Sequence, residues 1–289
     1  MQQKPIPGQD ALDPPDADVA RQYLAAADAV VERRDRATDR RALAGLQMVD
    51  AAVTAGYLVA FALVLRQDDV LASQVILFTF LVWGQLASGM AQRHGMQWRW
   101  SASRWPLLLG GGVVLVGAVL VFGFVALDTR LPVGMVLIPA GLVLVGIGGY
   151  GAVQLVRAAG DPRPPRPSPL ALPTALRWGT VLVGVVLGVL TMLAGAPDGV
   201  LRSVITLLVM LALFTWLVVF NTPVGLPAVG PSSRWPHVTA FLLAACVPVA
   251  LVLGGDVLGD RGLAGVVGGA VVMVLVIVAS FIPGRASRG

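Results

Sequence analysis

Apolar and polar positions fall into long blocks. Between positions 46 and 282, apolar runs of about twenty residues, the length that crosses a hydrocarbon core as a helix, alternate with short polar or proline-rich breaks. The runs predict helices over 46–65, 70–90, 107–127, 131–156, 178–196, 200–220, 237–254 and 262–282. They are apolar on every face, whereas strands of a membrane barrel would alternate apolar and polar residues over about ten positions. The expected fold is therefore all-α: a polytopic transmembrane bundle of about eight spans. Turns as short as Arg66-Gln67-Asp68-Asp69, Asp128-Thr129-Arg130 and Pro197-Asp198-Gly199 force successive spans to run antiparallel, as four hairpins in series.

Charge then orients the bundle. The short turns hold Arg66, Arg130, Arg202 and Arg261, leaving 17 of the 21 basic residues in the two termini and the long linkers. Basic residues beside spans stay in the cytoplasm, so both ends and all three long linkers are expected inside. An odd number of spans would break this separation. The segment 254–262, with Asp256, Asp260 and Arg261, reads either as an outer loop or as part of one long bent helix.

Outside the spans, residues 1–17 read as a disordered tail containing Pro14 and Pro15. Over 18–45, Val19, Tyr23, Leu24, Ala27, Val30 and Val31 recur at helical spacing, predicting a cytoplasmic amphipathic helix with Asp16 or Asp18 as its cap. Five arginines between 33 and 41 would sit near anionic headgroups. This helix reads as a topology anchor or as a docking element for a partner protein. The linker 157–177 alternates proline and arginine from Pro162 to Pro169, a semi-rigid extended spacer. It divides membrane half one, 46–156, from membrane half two, 178–282, which a short tail, 283–289, follows. No apolar signal core follows the start methionine, so a cleavable signal peptide is not expected. A single lysine among the basic residues, with 34 glycines, points to a GC-rich bacterial genome and hence to a bacterial cell membrane.

Composition agrees with this placement: 56% of residues are hydrophobic and 13% charged, and the mean hydropathy is +0.80. The high isoelectric point, about 10.3, restates the topology signal and carries no nucleic-acid reading. The single cysteine, Cys246, lies within an apolar run and cannot form an intrachain disulfide.

Several motifs invite chemistry. Gly146-Ile147-Gly148-Gly149-Tyr150-Gly151 matches the dinucleotide fingerprint G-x-G-x-x-G, but that motif needs a preceding strand and an acidic residue further on, and here it lies inside a span. Its glycines, like Gly184 with Gly188 and Gly265 with Gly269, instead read as seams where helix backbones approach closely. Pro139 and Pro248, in mid-span, are candidate helix kinks. Arg104-Trp105, Arg177-Trp178 and Arg234-Trp235 each open a span and read as interfacial anchors. Arg202, four residues after Asp198, reads as half of a surface ion pair.

The span centres lack the ionisable groups that ion-coupled carriers, pumps and intramembrane hydrolases require. His94 and His237 have no second ligand nearby in sequence, so neither a metal site nor a cofactor is expected, and no catalytic set assembles. One polar pair remains. Asp50 lies 15 residues before Leu65 and Gln85 lies 15 after Val70, so an antiparallel hairpin puts them at one depth. Three functions follow as expectations. The first is a non-catalytic membrane component, an accessory subunit or scaffold. The second is a permease for an uncharged or lipid-like substrate. The third is a membrane-embedded lipid-modifying enzyme that would recruit Asp50, His94 and nearby arginines.

Overall fold

The computed structural model describes residues 16–36, 39–67, 70–94, 105–128, 130–161, 169–197, 199–218, 229–230, 232–254 and 259–285. Its helices are α1 (Ala17–Arg36), α2 (Arg40–Leu65), α3 (Val70–Arg93), α4 (Trp105–Leu127), α5 (Leu137–Val143), α6 (Gly149–Arg157), α7 (Thr174–Gly195), α8 (Val200–Val218), α9 (Trp235–Gly254) and α10 (Arg261–Ser280). The only paired strands among the described residues are β1 (Pro169–Leu170) and β2 (Gly284–Arg285), which are antiparallel. Among the described residues, seven helical segments are long and apolar enough to cross a membrane, and the described part of α8 forms a shorter apolar helix over Val200–Trp216.

The segment expected as one helix over 18–45 is divided. Helix α1 ends at Arg36, and the Asp39 side chain accepts from the Ala42 N–H at 2.9 Å as the N-cap of α2. Residues 40–45 thus extend the first long apolar helix. The break before α10 is equally definite. Gly259 takes the left-handed conformation (φ 69°), and Asp260 caps α10 by accepting from the Leu263 N–H at 3.1 Å. The reading of one bent helix across 254–262 gives way to two separate helices.

The span 131–156 is the least regular. A 3-10 turn (Val133–Val136) leads into α5, a π turn (Leu144–Gly148) joins α5 to α6, and a second 3-10 turn (Ala158–Gly160) ends the segment. Pro139 lies within α5, inside a continuous helical stretch over Val133–Gly160 whose helix type changes on either side of α5. Pro248 does lie inside its helix, and it is buried.

Burial follows side-chain size. On α7 and α10 the buried positions include Gly179, Gly184, Gly188 and Gly195, and Gly265 and Gly269. Large apolar residues of α10, such as Leu263, Val266, Val271, Val274 and Val278, face outwards. An aqueous protein would invert that arrangement. In lipid the outward residues lose nothing, and small inward residues let backbones close up. Helices α7 and α10 make the most extensive contact in the molecule. A Cβ added at Gly269 would stand 2.6 Å from the Gly188 carbonyl oxygen, and one at Gly265 would stand 2.8 Å from the Gly195 Cα. The two glycine pairs picked out by their spacing are therefore opposite sides of one seam.

A second close approach joins α2 to the irregular segment. A Cβ at Gly151 would lie 3.1 Å from Met48 Cγ, and one at Gly148 would lie 3.4 Å from Ala51 Cβ. The glycine run that imitates a nucleotide fingerprint is a packing surface for α2. Buried threonine hydroxyls are satisfied locally: Thr79, Thr191 and Thr206 each donate to the carbonyl four residues back, at 2.8, 2.7 and 2.8 Å.

Candidate functional site

Helix α2 carries an arginine at each end, and each closes the carbonyl end of a neighbouring helix. Arg41 Nε donates to the Ala158 carbonyl at 2.6 Å, and its Nη2 donates to the Ala159 carbonyl, just beyond α6. Arg66 Nε and Nη2 donate to the Val125 carbonyl at 3.2 and 3.0 Å, and Nη2 also reaches the Asp128 carbonyl at 3.1 Å, at the end of α4. The last carbonyls of a helix have no partner within it, and a cation is favoured beside them. Both arginines, countable in sequence only as topology charges, are helix caps.

Asp50 lies about three turns into α2. Its Oδ1 accepts from Trp83 Nε1 on α3 at 2.8 Å. Across the α2–α3 hairpin Asp50 thus meets Trp83, two residues before Gln85, which is half-buried. Trp83, 1% exposed, also stacks on Phe241 of α9 with ring centroids 5.8 Å apart. One indole, through its bond to Asp50 and its stack on Phe241, therefore ties three helices together.

Against this junction lies a cavity of about 20 Å³, lined by Trp83, Leu86, Met90, Ser233, His237, Val238 and Phe241. Its size suits a single water. His237 is 7% exposed, and its Nδ1 accepts from the Arg234 N–H at 3.2 Å, so that nitrogen is committed to the entry of α9. Asp50 is likewise committed to an indole. The arrangement thus sets a carboxylate held by an indole near an imidazole whose Nδ1 is held and whose buried Nε2 has no hydrogen-bond partner among the described residues.

The span-entry arginines gather a second cluster. The Arg177 guanidinium lies 5.2 Å from the centre of the Phe281 ring, a cation–π contact. Arg234 Nη1 donates to the Pro283 carbonyl at 3.4 Å. Gly284 is pressed so closely between Leu172 and the Ser232 carbonyl that an added Cβ would stand 3.0 Å from that oxygen. With Pro169 paired to Arg285 and Leu170 to Gly284, the segment after α10 straps the entries of α7 and α9. Trp178 and Trp235 stay exposed, at 65% and 54%, as interfacial tryptophans would. Arg104 and the Trp105 side chain lie outside the described residues. Arg202 is buried rather than on the surface, and its sequence partner Asp198 is outside the described residues.

No group of three or more His, Cys, Asp or Glu side chains among the described residues is placed to hold a metal ion. Comparison of the chain with protein-family models, curated proteins and solved structures finds no match in any of the three.

Proposed function

We propose that this protein is a non-catalytic component of the cell membrane, an accessory subunit or scaffold, with eight spans and both ends in the cytoplasm. The observation that carries the reading is the α7–α10 seam. Backbones that meet with no room for a methyl group form a fixed strut rather than a sliding surface. The main apolar cluster supports the same reading, because it runs from Val75, Val82 and Trp83 on α3 to Leu187 on α7, Phe241 on α9 and Val272 on α10. The two membrane halves share that core. Helix α8, with 19 residues, is about 28 Å long, close to the thickness of a hydrocarbon core, and serves as the eighth span.

The element offered to a cytoplasmic or membrane protein partner is α1, whose Val19, Tyr23 and Leu24 are 40%, 71% and 67% exposed. Isolation of the tagged protein from its native membrane in mild detergent tests this. A stoichiometric partner is expected with the full chain and is expected to be lost when residues 1–36 are removed. A lone protein in both preparations would reject the subunit reading.

A second reading, a permease for an uncharged or lipid-like substrate, draws on the π turn Leu144–Gly148 and on the buried Pro248, two places where a helix ladder is already interrupted. Flux through vesicles holding the purified protein alone would favour it. A lipid-modifying enzyme would need Asp50 free at the headgroup level, whereas that carboxylate is held by Trp83.

A further inference from the structure

The outer face of α4 carries a groove of about 640 Å³ whose floor is Val119, Leu120, Gly123, Phe124 and Leu127 and whose end is closed by Asp128 and Arg130. Five apolar positions over nine residues give about 12 Å of hydrocarbon-compatible surface along the helix. Gly123 supplies the notch, since an added Cβ there would meet no atom within 4 Å.

The polar end is built by several bonds. The Asp128 carbonyl accepts from Arg66 at 3.1 Å and from the Leu131 N–H at 3.2 Å, while its Oδ1 accepts from the Arg130 N–H at 3.0 Å. These bonds hold Asp128 and Arg130, so that a carboxylate and a guanidinium stand two residues apart at the end of an open apolar groove. The charge pattern is complementary to an amphiphile carrying a phosphate and, next to it, a cation. A purely anionic headgroup would meet the Asp128 carboxylate.

We propose that this groove is a binding site for a zwitterionic phospholipid with a primary ammonium group, phosphatidylethanolamine in class, with an acyl chain along Leu120–Gly123–Phe124, the phosphate on Arg130 and the ammonium on Asp128. The inference stands independently of the subunit reading, since a permease or a scaffold would carry the same groove.

The test uses the full chain in mild detergent, incubated with equimolar phosphatidylethanolamine, phosphatidylcholine and phosphatidylglycerol of matched acyl chains and examined by native mass spectrometry. Phosphatidylethanolamine adducts are expected to survive in about fivefold excess over the other two, the factor that an exposed ion pair supplies. Asp128→Asn, whose amide oxygen still accepts from the Arg130 N–H, is expected to erase that preference. Gly123→Leu is expected to lower retention of all three lipids without changing the thermal midpoint. Should Gly123→Leu fail to fold, Arg130→Gln at its exposed position reads the same phosphate contact. Equal retention of the three lipids by the unaltered protein would overturn the proposal. So would wild-type retention in Gly123→Leu or Arg130→Gln, or a protein chain cross-linked to Gly123→Cys in native membranes.

Discussion

Replacing Gly269 by alanine puts one methyl group into the α7–α10 seam. The new Cβ would stand 2.6 Å from the Gly188 carbonyl oxygen, against an ordinary contact of at least 3.4 Å. The backbones must therefore separate locally by about 0.8 Å, the difference of those two values. The Met192 side chain, whose Cγ would stand 2.5 Å away, can swing aside, but the Gly188 carbonyl is backbone, so relief requires moving a helix, and overpacking of this kind costs about 1–3 kcal/mol. The exchange also raises helix propensity, a gain of up to about 1 kcal/mol, so the effect of one variant alone mixes two terms. Gly117→Ala on α4 removes the ambiguity. It makes the same propensity change where an added Cβ meets nothing within 4 Å. The difference between the variants isolates the steric term, and Gly269→Ala is expected to be the less stable by about 1–3 kcal/mol. Reversible unfolding of both proteins in mixed micelles, titrated with a denaturing detergent, measures it. Equal stability within about 0.5 kcal/mol, the scatter of neutral surface changes, would refute the seam as a close backbone contact and remove the main support for a rigid bundle.

Other variants probe the remaining joints. Trp83→Phe keeps the stack on Phe241 but leaves Asp50 without its donor, and a loss of about 1–3 kcal/mol in the same unfolding assay is expected. Asp50→Leu is expected to insert normally and to impair assembly with the partner, so wild-type recovery of that partner would deny Asp50 a role beyond packing. Arg66→Ala removes the donor to the Val125 carbonyl and leaves the Asp128 carbonyl to the Leu131 N–H alone, and is expected to cost about 1 kcal/mol. Unchanged stability there would mean that water or headgroups replace the cap.

The long helices were legible because span length and uniform apolarity do not depend on which way a helix faces. The glycine seam was legible for a related reason: Gly184 with Gly188, and Gly265 with Gly269, recur at the four-residue spacing that lines one helix face, and small residues in a span need a close neighbour. Helix rotation was not legible. Trp83 and Gln85 stand about 200° apart around α3, so choosing the donor to Asp50 required knowing which face meets α2. A helix that is apolar nearly all round gives no such signal. The caps made by Arg41 and Arg66 were hidden likewise, because the carbonyls they reach are more than fifty residues away. The changes of helix type on both sides of α5, around Pro139, were not legible either, because the run reads as one uniform span.

The central claim, an eight-span bundle with its partner-binding end in the cytoplasm, rests on α8 crossing the bilayer. With Cys246 replaced by alanine, single cysteines placed at Gly199 and at Ser233, which flank α8, decide it when an impermeant maleimide is applied to intact cells. Labelling at Gly199 from outside, with Ser233 reactive only after the membrane is opened, is the expected result. Both sites labelling from the same side would reduce the bundle to seven spans and separate the cytoplasmic α1 from the strap that joins α7, α9 and the chain's end.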